Sequence, residues 1–88
     1  MALTLAFTDG GWEDYLWWQA QPRKSLKRVN DLIKSARRTP YDGIGNPEGL
    51  RYDEPGTWSR RITQEHRLVY RVEGEALVVL QARFHYDD

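Results

Sequence analysis

Trp58–Phe84, WSRRITQEHRLVYRVEGEALVVLQARF, is the stretch on which the fold turns. It holds three runs rich in β-branched and aromatic residues, Trp58 to Thr63, Arg67 to Glu73 and Ala76 to about Phe84, with Glu73-Gly74-Glu75 as a turn between the last two. Three such runs in succession predict an antiparallel meander. Side chains two apart share a face of a strand, so Ser59, Arg61 and Thr63 form one set and Trp58, Arg60 and Ile62 the other. Leu68, Tyr70 and Val72 read as core, which turns Arg67, Val69 and Arg71 outward. In the last run Val78, Leu80 and Ala82 alternate with Val79, Gln81, Arg83 and His85, and the second set is the more polar.

Upstream, Leu3 to Phe7 reads as a short strand running into Thr8-Asp9-Gly10-Gly11, residues that suit a turn and a helix N-cap. Trp12, Tyr15, Leu16 and Gln19 then recur at helical spacing, with Glu13 and Asp14 in the first turn where carboxylates favour the helix dipole; this helix should end near Gln21. Pro22 suits the start of a second helix with Leu26, Val29, Ile33 and Ala36 as its apolar stripe, and Thr39-Pro40 stops it. Gly43, Gly45, Pro47 and Gly49 mark a loop, after which Leu50 to Tyr52 is a weaker strand candidate. The expected fold is α+β: an N-terminal strand and an αα-hairpin packed on one face of an antiparallel sheet whose other face stays open.

At 88 residues with 40% apolar content, residues 1–88 are expected to form a single domain, its core supplied largely by four Trp, five Tyr and two Phe. There is no cysteine, hence neither a disulfide framework nor thiolate ligands. The N-terminus lacks the basic start of a signal peptide and no run approaches a membrane span, so a cytoplasmic protein with no membrane partner is expected. Net charge is zero, yet between Pro22 and Arg38 seven Lys or Arg face one acid, Asp31. Such a segment fits a polyanion as well as it fits a solvated helix face.

Several chemistries fall away. His66 and His85 show no zinc-ligand spacing, and His66 alone reads as structural. Gly43 to Gly49 misses the dinucleotide fingerprint by one residue and lacks the Lys-Ser/Thr ending of a phosphate loop. Glu48 with Glu65 could pair as in a glycosidase, but so small a domain offers no deep sugar cleft. What remains is a carboxylate on the loop (Glu48), arginines on the sheet (Arg61, Arg67) and a terminal His85-Tyr86. These are the parts that RNA cleavage requires: a base for the 2′-OH, a cation for the phosphorane, an acid for the leaving oxygen and a ring to stack on a base. A solvated face of arginine and tyrosine accounts for them too.

At this constellation the chain resembles the YoeB (Txe) toxins of bacterial toxin–antitoxin pairs, within the RelE/ParE superfamily. The likeness runs from Trp12-Glu13-Asp14-Tyr15-Leu16-Trp17-Trp18-Gln19 through Arg37-Arg38-Thr39-Pro40 and Pro47-Glu48 to Trp58–Tyr70 and Arg83-Phe84-His85-Tyr86. It implies a RelE/ParE-like fold and a ribosome-dependent endoribonuclease that cuts mRNA in the ribosomal A site and is neutralised by a cognate YefM/Axe-like antitoxin. By the same resemblance Glu48 is the general base, Arg67 stabilises the phosphate, His85 is the general acid, Tyr86 is the adjacent terminal aromatic, and Arg61 and Glu65 are supporting charges. Arg51, Lys24, Lys27 and Arg28 are candidate RNA contacts, and the basic helix would dock on ribosomal RNA. No metal or other cofactor is expected, and the exposed aromatics predict a homodimer. Asn46 and Gly49 stand where relatives often have Lys and Pro, and Asp87-Asp88 extend beyond the tyrosine at which relatives commonly stop.

Overall fold

The structure, a computed structural model, describes residues 2–50 and 55–84. The chain runs β1 (Thr4–Phe7), α1 (Asp9–Gln19), α2 (Arg23–Arg38), β2 (Glu48–Gly49), β3 (Thr57–Arg61), β4 (Arg67–Glu73) and β5 (Ala76–Gln81). The strands form one sheet in the order β1-β5-β4-β3-β2, and the two helices pack on one face of it. The meander β3-β4-β5 is antiparallel as expected, but β1 joins the edge of β5 in parallel, pairing Thr4 with Ala76 and Phe7 with Val79. The sheet is therefore mixed rather than antiparallel. Periodicity assigns faces to side chains and carries no information about the direction of a neighbouring strand.

Thr8 caps α1, its hydroxyl accepting from Gly11 N–H at 3.1 Å. Asp9, Gly10 and Gly11 are thus helical rather than a preceding turn, and Gly11 has a packing role. A Cβ there would lie 2.1 Å from the carbonyl oxygen of Val79, so the bare backbone lets the helix rest directly on β5. Gly11→Ala should cost about 1–3 kcal/mol by forcing two backbones apart. Urea unfolding measures this directly, and an unchanged midpoint would show that the helix can shift freely.

The core joins Trp18, Val29, Leu32, Ile33 and Ala36 from the helices to Leu68, Tyr70, Leu77 and Val79 from the sheet. Leu32 enlarges the expected stripe of α2, while Leu26 sits at its margin. In α1 the buried residues are Gly11 and Trp18; Leu16 is exposed, and so is Trp12, although its ring meets Phe7 of β1 edge-on at 5.4 Å. The helix ends at Gln19, two residues before the expected stop, and the Gln21 amide folds back onto Trp17 C=O.

A bulge changes the faces of the last strand. Val69 pairs with Gln81 but Tyr70 with Val79, so Leu80 is extra, and Leu77 and Val79 face the core in place of Val78 and Leu80. The face away from the helices is not uniformly open either, since Thr57, Ser59 and Val69 are all buried there. A short strand lies at Glu48–Gly49, with Leu50 N–H continuing onto Thr57 C=O; Arg51 and Tyr52, the rest of the weak strand expected at Leu50 to Tyr52, lie outside the described residues. Among the described residues no helix is long and apolar enough to cross a membrane.

Candidate active site

Arg60 organises the loop that leads to Glu48. Alternation places it on the core side with Trp58 and Ile62, and there it is wholly buried. Its guanidinium donates to five oxygens: Tyr70 Oη at 2.8 Å, Ser35 Oγ at 2.8 Å, and the carbonyls of Ile44, Thr39 and Asp42 at 3.0, 2.6 and 2.7 Å. Five N–H groups is the full donor set of an arginine. Tyr70 in turn donates to Pro40 C=O at 2.6 Å. Burial pushes the Tyr70 phenol above its ordinary value, with the Arg60 cation acting in opposition, so the hydroxyl keeps the proton it donates. The residues from Thr39 to Ile44 are thus tied inward by their carbonyls. Gly43, Gly45 and Asn46 take left-handed backbone, Asn being among the non-glycine residues that adopt it most readily.

The loop delivers Glu48 to β2, where it pairs with Ser59 of β3. On the neighbouring rungs Arg61 stands opposite Arg67. Glu48 Oε1 comes within 3.7 Å of Arg67 Nη1, with the carboxylate largely exposed and the guanidinium mostly covered. An exposed base beside a held cation can take a proton from a hydroxyl while the cation attracts a neighbouring anion. The Arg61 side chain is exposed, and its carbonyl accepts from Arg28 Nη2 at 2.9 Å, which joins α2 to the end of β3. Lys27 pairs with Asp31 on its own helix and Lys24 is exposed. Glu65 is also exposed, and its carboxylate contact is with His66 Nε2 at 3.6 Å. Arg51, His85, Tyr86, Asp87 and Asp88 lie outside the described residues. Among the described residues no three His, Asp or Glu are grouped to hold a metal.

Strand β5 stops at Gln81 rather than near Phe84, because side chains replace the ladder beyond it. Asp14 Oδ2 accepts from Ala82 N–H at 2.9 Å, and Trp18 Nε1 donates to Ala82 C=O at 2.6 Å. The Gln81 amide donates to Arg83 C=O at 3.0 Å, while the Arg83 guanidinium lies 4.1 Å over the Trp17 ring. Phe84 has a φ of 61°. Its N–H donates to His66 Nδ1 at 2.7 Å, and its carbonyl accepts from Arg67 N–H at 3.1 Å. The residue preceding His85 is therefore tied to the backbone of Arg67. Sequence reasoning missed Arg60, Asp14 and Trp18 in these supporting places. The alternation of β3 held the signal for Arg60, but nothing marked the other two.

Comparison with known proteins places these features in context. The family model described as the YoeB-like toxin of bacterial type II toxin-antitoxin system matches residues 7–86. Toxin YoeB from Synechocystis sp. is 51% identical over 84 residues, spanning 96% of this chain and 98% of that protein. Among solved structures, the YoeB/ParE toxin from Agrobacterium tumefaciens superposes with a TM-score of 0.88 at 49% identity, covering 96% of this chain and all of that one. YoeB from Staphylococcus aureus, 38% identical, is similar both as a dimer (TM-score 0.87) and in a YoeB–YefM complex (TM-score 0.84), each covering 98% of this chain and 100% of that one.

Proposed function

The chain belongs to the YoeB-like toxins of bacterial type II toxin-antitoxin systems, and on that premise we propose that it is a ribosome-dependent endoribonuclease that cuts mRNA in the ribosomal A site without a metal. The observation that carries this reading is the Glu48–Arg67 pair at the sheet edge, with the chain leading to His85 bonded to the Arg67 backbone. Glu48 takes the proton of a 2′-OH, and the freed oxygen attacks the adjacent phosphorus. The bond from phosphorus to the 5′-oxygen breaks as His85 gives that oxygen its proton, leaving a 2′,3′-cyclic phosphate that water opens to a 3′-phosphate. Arg67, with Arg61 opposite it, holds the phosphorane charge. Tyr86 stacks on an unpaired base, and Glu65 supports the site through its neighbours.

Lys24, Lys27, Arg28 and Arg51 are assigned to ribosomal RNA, where phosphate contacts position the protein without reading sequence. The S. aureus YoeB–YefM complex supports a YefM-like antitoxin as the silencing partner, and the YoeB dimer supports a homodimer. A cytoplasmic location follows from a ribosomal target.

Purified protein incubated with ribosomes and a defined message should give cuts at A-site codons with cyclic or 3′-phosphate ends, read by primer extension and mass spectrometry. His85→Gln should slow cleavage by about 10²–10⁴-fold. A 3′-hydroxyl product excludes attack by the 2′-OH, and equal cutting of free message excludes dependence on the ribosome.

A further inference from the structure

We propose that His66 is a positioning residue for the terminal acid: by accepting the Phe84 N–H at Nδ1 it holds the residue before His85 in a left-handed turn beside Arg67. This rests on the catalytic reading above.

His66 is suited to hold and unsuited to react. It is 8% exposed, with its ring against Trp17, Trp18 and Phe84 at centroid separations of 5.6, 5.3 and 5.2 Å. Little of the ring is left to meet an RNA phosphate or ribose. Its base is firm: His66 C=O accepts from the N–H groups of Ile62 and Thr63, and Thr63 Oγ1 accepts from His66 N–H. The imidazole therefore stands on a closed turn at the end of β3. An Nδ1 that accepts must be unprotonated, which leaves the neutral ring's proton on Nε2, facing Glu65 Oε1.

What the imidazole holds is a costly conformation. Left-handed backbone is an outlier for a bulky residue such as phenylalanine and persists only where surrounding contacts impose it. Asp14 and Trp18 secure Ala82, two residues upstream; among the described residues His66 and the Arg67 amide hold the backbone N–H and C=O of Phe84 itself, and the Arg83 guanidinium lies over its ring at 4.9 Å. Without the acceptor Phe84 can relax to extended backbone, and the chain would leave it in another direction. General acid catalysis is sensitive to displacement of this kind, because the proton must lie within hydrogen-bond reach of the leaving oxygen.

The test uses two variants of the full chain. His66→Leu keeps an apolar body in the aromatic cluster and removes the acceptor; His66→Asn keeps an oxygen near the place of Nδ1. On ribosomes programmed with message, His66→Leu should lose about 10- to 10²-fold in kcat with KM within about twofold, and His66→Asn should recover most of the loss. Hydrogen exchange at the Phe84 amide is the readout independent of activity: it should quicken in His66→Leu and slow again in His66→Asn. Parent-like kcat in His66→Leu, a loss confined to KM, or no recovery with Asn would overturn the proposal. So would a Phe84 amide indifferent to both changes, even if the variants melt earlier. A parent protein that cuts nothing overturns the ribonuclease reading and the catalytic purpose of the clasp, while the exchange data still decide whether His66 holds Phe84.

Discussion

Arg60→Met should lower the free energy of unfolding by about 3–5 kcal/mol. Methionine retains most of the stem's volume, so the loss isolates the guanidinium. Three loop carbonyls, at Thr39, Asp42 and Ile44, would lose their donor together with Ser35 Oγ and Tyr70 Oη. Each buried polar group left unmatched costs roughly 1–3 kcal/mol, with part recovered where the outer side of the loop admits water. Small domains are stable by only about 5–15 kcal/mol, so much of the margin would go. Arg60→Lys should recover little, because an ammonium offers three donors on a flexible stem where five are used in a planar fork. Urea unfolding of both variants measures the effect. A methionine variant within about 1 kcal/mol of the parent would mean that the loop holds its shape without Arg60.

Glu48→Gln should do the reverse. Glu48 is exposed and its contact with Arg67 is long, so the stability at stake is only ~0–1 kcal/mol. Glutamine preserves the shape and abolishes the proton acceptor, and the single-turnover rate on ribosomes should drop by about 10²–10⁴-fold with melting unchanged. Arg67→Met, which removes the charge that the proposed mechanism assigns to the phosphorane, should cost about 10²–10³-fold. If Glu48→Gln cut at the parental rate, the base would have to be sought elsewhere, and if Glu48→Gln and Arg60→Met failed in the same way, loop and chemistry would not be separable.

The contrast between these two residues also explains how far the sequence could be read. β4 was legible at both ends because Arg67 to Glu73 alternates cleanly and is closed by a Gly turn. The helical pair was legible from its spacing and from Pro22 and Pro40. The direction of β1 was not, since pairing direction leaves no mark on periodicity. Nor was the bulge at Leu80, where one extra residue moved Val79 into the core. Gly11 read as a turn former because a glycine required by close approach looks the same as one required by φ. Charge was the weakest guide: Arg60 and Arg61 are adjacent and identical, yet one is buried at the centre of a hydrogen-bonded loop and the other faces solvent. Glu48 and Arg67 were legible as candidates from resemblance, whereas their proximity depends on the register of three strands.

The parallel edge bears on the order in which the molecule can be made. β1 is the first strand to be synthesised, and among the described residues its one strand partner is β5, Thr4 pairing with Ala76 and Phe7 with Val79. Until β5 exists the first strand has no strand to pair with, only the Trp12 and Tyr15 rings of α1 against Phe7, and α1 lacks the backbone on which Gly11 rests. Contacts so distant in sequence form late and are slow to close. A nascent chain whose synthesis halts before residue 76 therefore carries the basic helix and the Glu48 loop but has neither a completed sheet nor the segment bonded to Arg67.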